Sequence, residues 1–228
     1  MKKHFNLFLY LFICIPTICL AEIKVYRPVV ATGPNIGIKF QVPYSLGTHE
    51  GIAHIISGSI AIDKNDPSLA TGEFRVPIES ITTNKAERDC HMQESLGLNY
   101  QVSDFPAEHV CDNQFHLALT GKNSVVYPQI ILKILSINSL DMTKKILLEG
   151  ETPIEVVGVW TIHGKSNQVK FPMKIIAEGD KMRISGDVPI LLSSYDIKVK
   201  PARLAFFTIN VKDQVKVFFD FLLTPEPL

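Results

Sequence analysis

Apolar residues alternate with polar ones along much of this chain, and this period of two constrains the fold more than any other feature. Successive side chains of a β-strand point to opposite faces, so each such run predicts a strand with one apolar face. The alternation is clearest in residues 36–42, 74–78, 169–175, 184–190 and 215–221. Turn-forming residues separate the runs, and no strand–helix–strand rhythm is present. The pattern therefore predicts an antiparallel all-β sandwich or barrel.

One window departs from the alternation and predicts a short helix. Residues 84–98 contain good helix formers and no β-branched residue. The apolar stretch at residues 130–135 is too short to be assigned by its period alone. We find no linker, low-complexity tract or clear internal repeat. The sequence therefore predicts a single domain over residues 22–228.

The first 21 residues have the order of segments that is typical of a secretory signal peptide. A basic start is followed by an apolar stretch and then by Cys19-Leu20-Ala21, which has small residues at its first and third positions. The apolar stretch is shorter than the roughly 18–20 residues of a membrane span, and it contains Pro16. We therefore expect cleavage after Ala21. The mature protein is predicted to be periplasmic or secreted, with no membrane span.

Cys90 and Cys111 are the two cysteines that remain after this cleavage. In an oxidising compartment a remaining pair of thiols usually forms a disulfide. Their spacing is unlike the Cys-x-x-Cys of a redox pair. A bridge closing this loop would stabilise the fold by about 3 kcal/mol. We therefore predict a structural disulfide between Cys90 and Cys111.

Charge and composition exclude two broad classes of protein. The chain has 23 basic and 23 acidic residues, and 46% of it is hydrophobic. A disordered chain needs low hydrophobicity and high net charge. A protein that binds nucleic acid through phosphate contacts needs an excess of positive charge to release counterions. We therefore expect a folded protein whose partner is not a nucleic acid.

The residue types needed for catalysis or metal binding are not grouped in a recognisable pattern. His49 and His54 are five residues apart, whereas His109 and His116 fall on opposite faces of a predicted strand, so neither is a zinc pair. The chain has no Gly-x-Ser-x-Gly elbow and no Gly-rich phosphate loop. We predict no enzymatic activity, no metal site and no cofactor.

The number of predicted strands bears on function. A sheet of about eight or more twisted strands tends to close into a barrel, whose interior is either filled by side chains or able to hold one small ligand. The alternating faces are rich in Phe, Ile and Val, so a cavity would be apolar. Such a cavity suits an elongated apolar molecule, since each CH₂ removed from water contributes about 0.8 kcal/mol. A filled core without a ligand is the alternative.

Three stretches taken together resemble the YceI-like family of exported, lipocalin-like proteins associated with polyisoprenoid binding. They are residues 78–91 with Asp104-Phe105-Pro106, residues 157–164, and residues 186–197 followed by 211–215. The match covers roughly residues 34–224. The resemblance implies a lipocalin-like antiparallel β-barrel of about eight or more strands, with the short helix near residues 84–98.

The chain departs from the family pattern at four positions. Ala53 stands where the family tends to have an aromatic residue, and Trp160 is larger than the leucine that it resembles. Leu192 and Asp196 replace a usual basic residue and a glycine. If Ala53 and Trp160 face the cavity, they reshape it.

From these observations we predict a binding protein, and as a hypothesis a carrier, for an isoprenoid, a quinone or a fatty-acid-like lipid held inside the barrel. The side chains predicted to line the cavity are Phe40, Phe74, Val76, Trp160, Phe171, Val188, Ile190 and Phe219. Arg88, Asp89 and His91 are the candidates for binding the polar end of the ligand. For Asp89 and His91 a structural role is favoured, because polar networks are common near helix ends.

Two other functions remain open at this stage. One is an envelope interaction module with a filled core and a protein partner, which would carry an exposed apolar patch on its outer surface. The other is an auxiliary protein that depends on a metal or a quinone and uses His91. The sequence does not predict the oligomeric state.

Overall fold

The computed structural model describes residues 23–29, 37–54, 56–63, 66–97, 127–140, 150–199, 201–204 and 206–226. The strands are β1 (Ile23–Pro28), β2 (Gly37–Tyr44), β3 (Gly47–Ala53), β4 (Ser57–Asp63), β5 (Thr71–Pro77), β6 (Ile81–Thr82), β7 (Gln129–Ser139), β8 (Gly150–Ile162), β9 (Lys165–Glu178), β10 (Lys181–Leu191), β11 (Ala202–Leu204), β12 (Phe207–Ile209) and β13 (Gln214–Pro225). Helix α1 is Ala86–Leu96, and short 3-10 helices are Pro67–Leu69, Ile78–Ser80 and Leu192–Tyr195. The predicted signal peptide and Cys111 lie outside the described residues.

Eight strands close an antiparallel β-barrel. Strands β1, β4, β5, β7, β8, β9, β10 and β13 are hydrogen-bonded in that order, and β1 also pairs with β13. One edge of β13 is shared, because β2 pairs with its first half and β1 with its second half. Strands β2, β3 and β6 thus extend the wall at one end of the barrel. Closure pairs the two edges of the sheet, which removes the unpaired edge that an open sheet would expose.

The alternation in the sequence locates the strands correctly. Its five clearest runs lie mainly in β2, β5, β9, β10 and β13, and the ambiguous stretch at 130–135 lies in β7. The burial pattern of β8 shows the cause, since its buried residues recur at every second position from Thr152 to Ile162. The helix predicted over 84–98 is observed over Ala86–Leu96. It ends where the N–H of Gly97 donates to the carbonyls of Gln93 and Glu94.

The connections place α1 across one end of the barrel, which we call the helix end. The β2–β3 turn, the β8–β9 turn, the end of β10 and the start of β13 all lie there, as the strand pairings require. The first turn of α1 contacts β3, where Arg88 Nη1 lies 2.9 Å from His49 Nδ1. At its other end Gly97 accepts a hydrogen bond from Tyr127 N, and the Tyr127 ring packs against His163 in the β8–β9 turn. The opposite, far end carries the β9–β10 turn.

Gly58 of β4 is a position where the fold has no room for a side chain. Its φ is +117°, and a Cβ there would lie 1.9 Å from the carbonyl oxygen of Glu73 on β5. We expect Gly58→Ala to lower the free energy of unfolding by about 2 kcal/mol, because backbone strain and a backbone clash combine. Gly179 is the matched control, since its φ is +69° but nothing lies within 4 Å of its added Cβ. Urea denaturation should show a loss of about 1 kcal/mol for Gly179→Ala. Equal losses for the two variants would contradict the predicted clash.

Candidate functional site

The interior of the barrel contains a cavity of about 1610 Å³. Pockets for drug-sized molecules are typically about 300–1,000 Å³, so this cavity is large enough for a longer guest. A hollow interior is the opposite of the filled core that the interaction-module alternative required. The apolar faces of the strands therefore enclose a space as well as forming the wall.

The cavity wall is apolar along the barrel and towards the far end. The residues that line this part include Ile60, Phe74, Ile134, Ile137, Ile154, Val156, Phe171, Met173, Ile184, Phe221 and Leu223. Charged and hydrogen-bonding side chains on the wall are concentrated at the helix end: Tyr44, His49, Thr83, Lys85, Arg88, His91, Glu94, Ser95, His163, Asp196 and Lys198. As far as its wall is described, the cavity thus has an apolar body and a polar mouth at the helix end.

Three aromatic side chains from different strands form a cluster on this wall. The ring centroids of Trp160, Phe171 and Phe219 lie 5.9–6.3 Å apart. Such pairs contribute about 0.5–1.5 kcal/mol each beyond the burial of their area. Trp160 is 95% buried (5% exposed), and its Nε1 atom has no hydrogen-bond partner among the described residues. The cluster therefore places the chain's single tryptophan beside the cavity, where it can report on what binds there.

Seven of the eight apolar side chains predicted to line the cavity lie on its wall. They are Phe40, Phe74, Val76, Trp160, Phe171, Ile190 and Phe219. Val188 is buried in the core but is not on the wall, which corrects its predicted position. The alternation of a strand fixes which face a side chain points to, whereas it does not fix how far the side chain reaches inward. The binding role of the seven remains a prediction.

Arg88 extends from the first turn of α1 to the mouth and is held there by neutral groups. Its Nε donates to Thr83 Oγ1 at 2.7 Å, and its Nη2 donates to the Thr83 carbonyl at 3.1 Å. His49 Nδ1 accepts from Nη1, since a guanidinium can only donate. The His49 ring stacks on Tyr44, with centroids 4.1 Å apart. Burial and then the Arg88 charge lower the pKa of His49, which favours the neutral imidazole that accepts this hydrogen bond.

Asp89 occupies a structural position, the role favoured for it from the sequence, and is not on the cavity wall. Its side chain is buried. The carboxylate accepts from the Thr82 hydroxyl, from the Thr83 hydroxyl and, at 2.6 Å, from the Thr83 backbone N–H. Asp89 therefore ties α1 to the end of β6. The sequence pattern around residues 78–82 cannot predict this contact, because the contact forms only when the chain turns back after β6.

His91 is exposed on α1 at the rim of the mouth, where its Nδ1 lies 3.9 Å from Glu94 Oε2. Sequence reasoning missed Tyr44, Lys85, His163 and Lys198 among the mouth residues and considered His49 only as a zinc ligand. Lys85 lies three residues before Arg88, whereas the other four are distant from Arg88 in sequence and meet it only because the barrel closes. No short motif could have found these four.

All four departures from the family pattern, at Ala53, Trp160, Leu192 and Asp196, line the cavity. Ala53 and Trp160 both lie on the wall, so both shape the space available to a guest. Asp196 has a φ of +57°, and aspartate is one of the few non-glycine residues that adopt this left-handed conformation readily. Asp196 therefore fills a position for which the family's glycine is suited. Its carboxylate lies 3.1 Å from Lys165 Nζ.

The disulfide prediction is not tested by this geometry. Cys111 and the side chain of Cys90 lie outside the described residues. Within the described part of the chain, no helix is long and apolar enough to cross a membrane.

The family profile of the YceI-like domain matches residues 35–223. The chain belongs to the YceI-like family. The match confirms the resemblance drawn from the sequence and covers most of the chain, including all strands from β2 to β12. None of the curated proteins matches the chain.

Solved structures share the YceI-like fold with this chain. A polyisoprenoid-binding domain from Saccharophagus degradans is 10% identical, with a TM-score of 0.55, and the match covers 91% of this chain and 100% of that one. BcnA from Burkholderia cenocepacia is 15% identical, with a TM-score of 0.51, covering 81% and 95%. The YceI protein of Campylobacter jejuni is 16% identical, with a TM-score of 0.51, covering 79% and 86%. At these identities the likeness shows the lipocalin-like barrel alone.

Proposed function

We propose that this protein binds one long-chain lipid, an isoprenoid, a quinone or a fatty-acid-like molecule, with its tail inside the barrel and its polar end at the helix end. The observation that carries the proposal is the cavity of about 1610 Å³, whose described wall is apolar along the barrel and polar at its mouth. An amphiphile with one long tail has the same arrangement of apolar and polar parts. Catalysis has no part in this proposal.

The energetics favour a long guest over a short one. Each CH₂ removed from water contributes about 0.8 kcal/mol, so about fifteen of them contribute about 12 kcal/mol. Association costs an estimated 4–15 kcal/mol in lost freedom of motion, which a short chain does not offset. Affinity should therefore rise with chain length until the tail reaches the far end.

The comparisons support the same class of ligand. The chain belongs to the YceI-like family, and a protein of similar fold is a polyisoprenoid-binding domain. A mouth at the helix end gives the guest a route in and out, which suits a carrier. With the predicted signal peptide, we place this carrier in the periplasm or outside the cell.

Native mass spectrometry of freshly purified protein, followed by organic extraction, tests the proposal. We expect a mass increment corresponding to one bound lipid, which extraction removes and identifies. If no lipid copurifies and added palmitic acid, prenol or quinone also fails to bind, the proposed function is wrong.

A further inference from the structure

We propose that the ligand carries an anionic head group, a carboxylate or a phosphate, recognised at the mouth by Lys85, Arg88 and Lys198. This inference rests on the proposed function, because it assumes that a lipid tail occupies the barrel. It goes further by naming the chemistry of the head group and the residues that select it.

The three cations converge on the mouth from two separate parts of the chain. Lys85 immediately precedes α1 and Arg88 lies in its first turn, whereas Lys198 follows the 3-10 helix after β10. All three side chains line the cavity. Among the described residues, none of the three forms an ion pair with a carboxylate. Their charges are therefore available to a ligand.

Carboxylates at the mouth do not cancel these charges. Glu94 and Asp196 are the acidic residues on the described part of the wall. Asp196 is paired with Lys165, which is outside the wall, and Glu94 lies beside His91. The buried Asp89 carboxylate is one hydrogen bond away from Arg88, through the Thr83 hydroxyl. With Lys165 offsetting Asp196, and Glu94 and Asp89 offsetting two of the three cations, the charged groups around the mouth leave a small excess of positive charge. The first turn of α1 adds to it, because the positive end of a helix dipole favours an anion.

Arg88 is oriented for recognition without being neutralised. Its partners are the Thr83 hydroxyl, the Thr83 carbonyl and His49, none of which carries a negative charge. A guanidinium has five N–H donors, so these three contacts leave two for a ligand. Paired N–H donors of arginine match the two oxygens of a carboxylate or a phosphate. A neutral hydroxyl would leave most of this capacity unused.

The test compares three probes that have the same C16 tail: palmitate, hexadecyl phosphate and hexadecanol. Their dissociation constants are measured for the full mature chain at pH 8 and low salt. The readout is the change in Trp160 fluorescence as each probe binds. We expect the anions to bind at least about tenfold more tightly than the alcohol. A preference for one anion over the other then distinguishes a carboxylate lipid from a phosphate lipid.

The decisive variant is Lys85→Glu with Lys198→Glu, which leaves Arg88 and its hold on α1 intact. It should weaken both anions about tenfold relative to hexadecanol, whose continued binding also shows that the barrel has folded. The matched control is Lys133→Glu with Lys170→Glu, which changes the net charge equally on exposed positions outside the cavity wall. The control should not alter the anion preference.

Two results would overturn the inference. One is equal affinity of the wild-type protein for all three probes. The other is an anion preference that the mouth variant and the control reduce alike. In both cases hexadecanol still binds, so the proposed lipid-binding function would stand. Failure of every probe to bind would instead remove the proposed function and this inference with it.

Discussion

We expect Asp89→Ala to lower the free energy of unfolding by about 3 kcal/mol, since it leaves buried donors without an acceptor. The carboxylate is buried and accepts hydrogen bonds from the Thr82 hydroxyl and from the hydroxyl and backbone N–H of Thr83. Asp89→Asn should lose less, about 1–2 kcal/mol, because the amide keeps one accepting oxygen. Urea denaturation followed by Trp160 fluorescence measures both losses.

Asp187 provides the control for this prediction. It is an exposed carboxylate whose side chain lies 3.1 Å from Lys216 Nζ. Exposed pairs contribute at most about 1 kcal/mol, so Asp187→Ala should be nearly neutral. If Asp89→Ala and Asp187→Ala are equally mild, the carboxylate of Asp89 does not hold α1 on the barrel. A large loss for Asp89→Ala would also explain any accompanying loss of ligand affinity, because Arg88 lies on the same helical turn.

The second large effect is expected for Leu132→Asp, which should weaken binding of a long-chain ligand by at least about 100-fold. Leu132 lies on the cavity wall and is paired with Trp160 on the neighbouring strand. Without ligand, water in the cavity can solvate the new carboxylate. A bound tail would displace that water and leave a polar group without partners, at a cost of several kcal/mol. Titration with palmitate at constant protein concentration measures the change.

Leu135 lies on the same strand and is the matched control. It is 42% exposed and does not line the cavity, so Leu135→Asp makes the same change outside the barrel. Its affinity for palmitate should equal that of the wild type. Far-UV circular dichroism must show that both variants have folded. Equal affinities for the two variants would mean that the tail is not bound next to Leu132.

Much of the barrel could be predicted from sequence because a strand leaves a local signal. In β9 and β10 the apolar positions recur at every second residue over 169–175 and 184–190, so the buried face can be identified without the structure. The helix also has a local signal, since β-branched residues are missing from its window. The separation of β1 from β2, and of β3 from β4, has no local signal. It depends on how β13 shares one edge between β1 and β2.

The site could be predicted only in part, and for a related reason. Phe171 and Phe219 could be placed on the inner face from periodicity, whereas Val188 satisfied the same pattern without reaching the wall. A cavity is the space left over after every inward side chain has been placed, so no single strand can reveal it. The mouth depends on closure as well. His49 and Lys198 are far apart in sequence and meet at the same cavity mouth only because β3 and the segment after β10 lie at one end of the barrel.

The claim on which the account depends is that a lipid tail occupies the barrel next to Trp160, the chain's single tryptophan. It is tested most directly by titrating the protein with a fatty acid brominated in the middle of its chain, alongside the same acid without bromine. We expect quenching of Trp160 by the brominated acid that saturates at one molecule per protein and is reversed by excess acid without bromine. Binding of one molecule per protein with unchanged tryptophan emission would contradict this expectation, because the acyl chain would then lie outside the barrel.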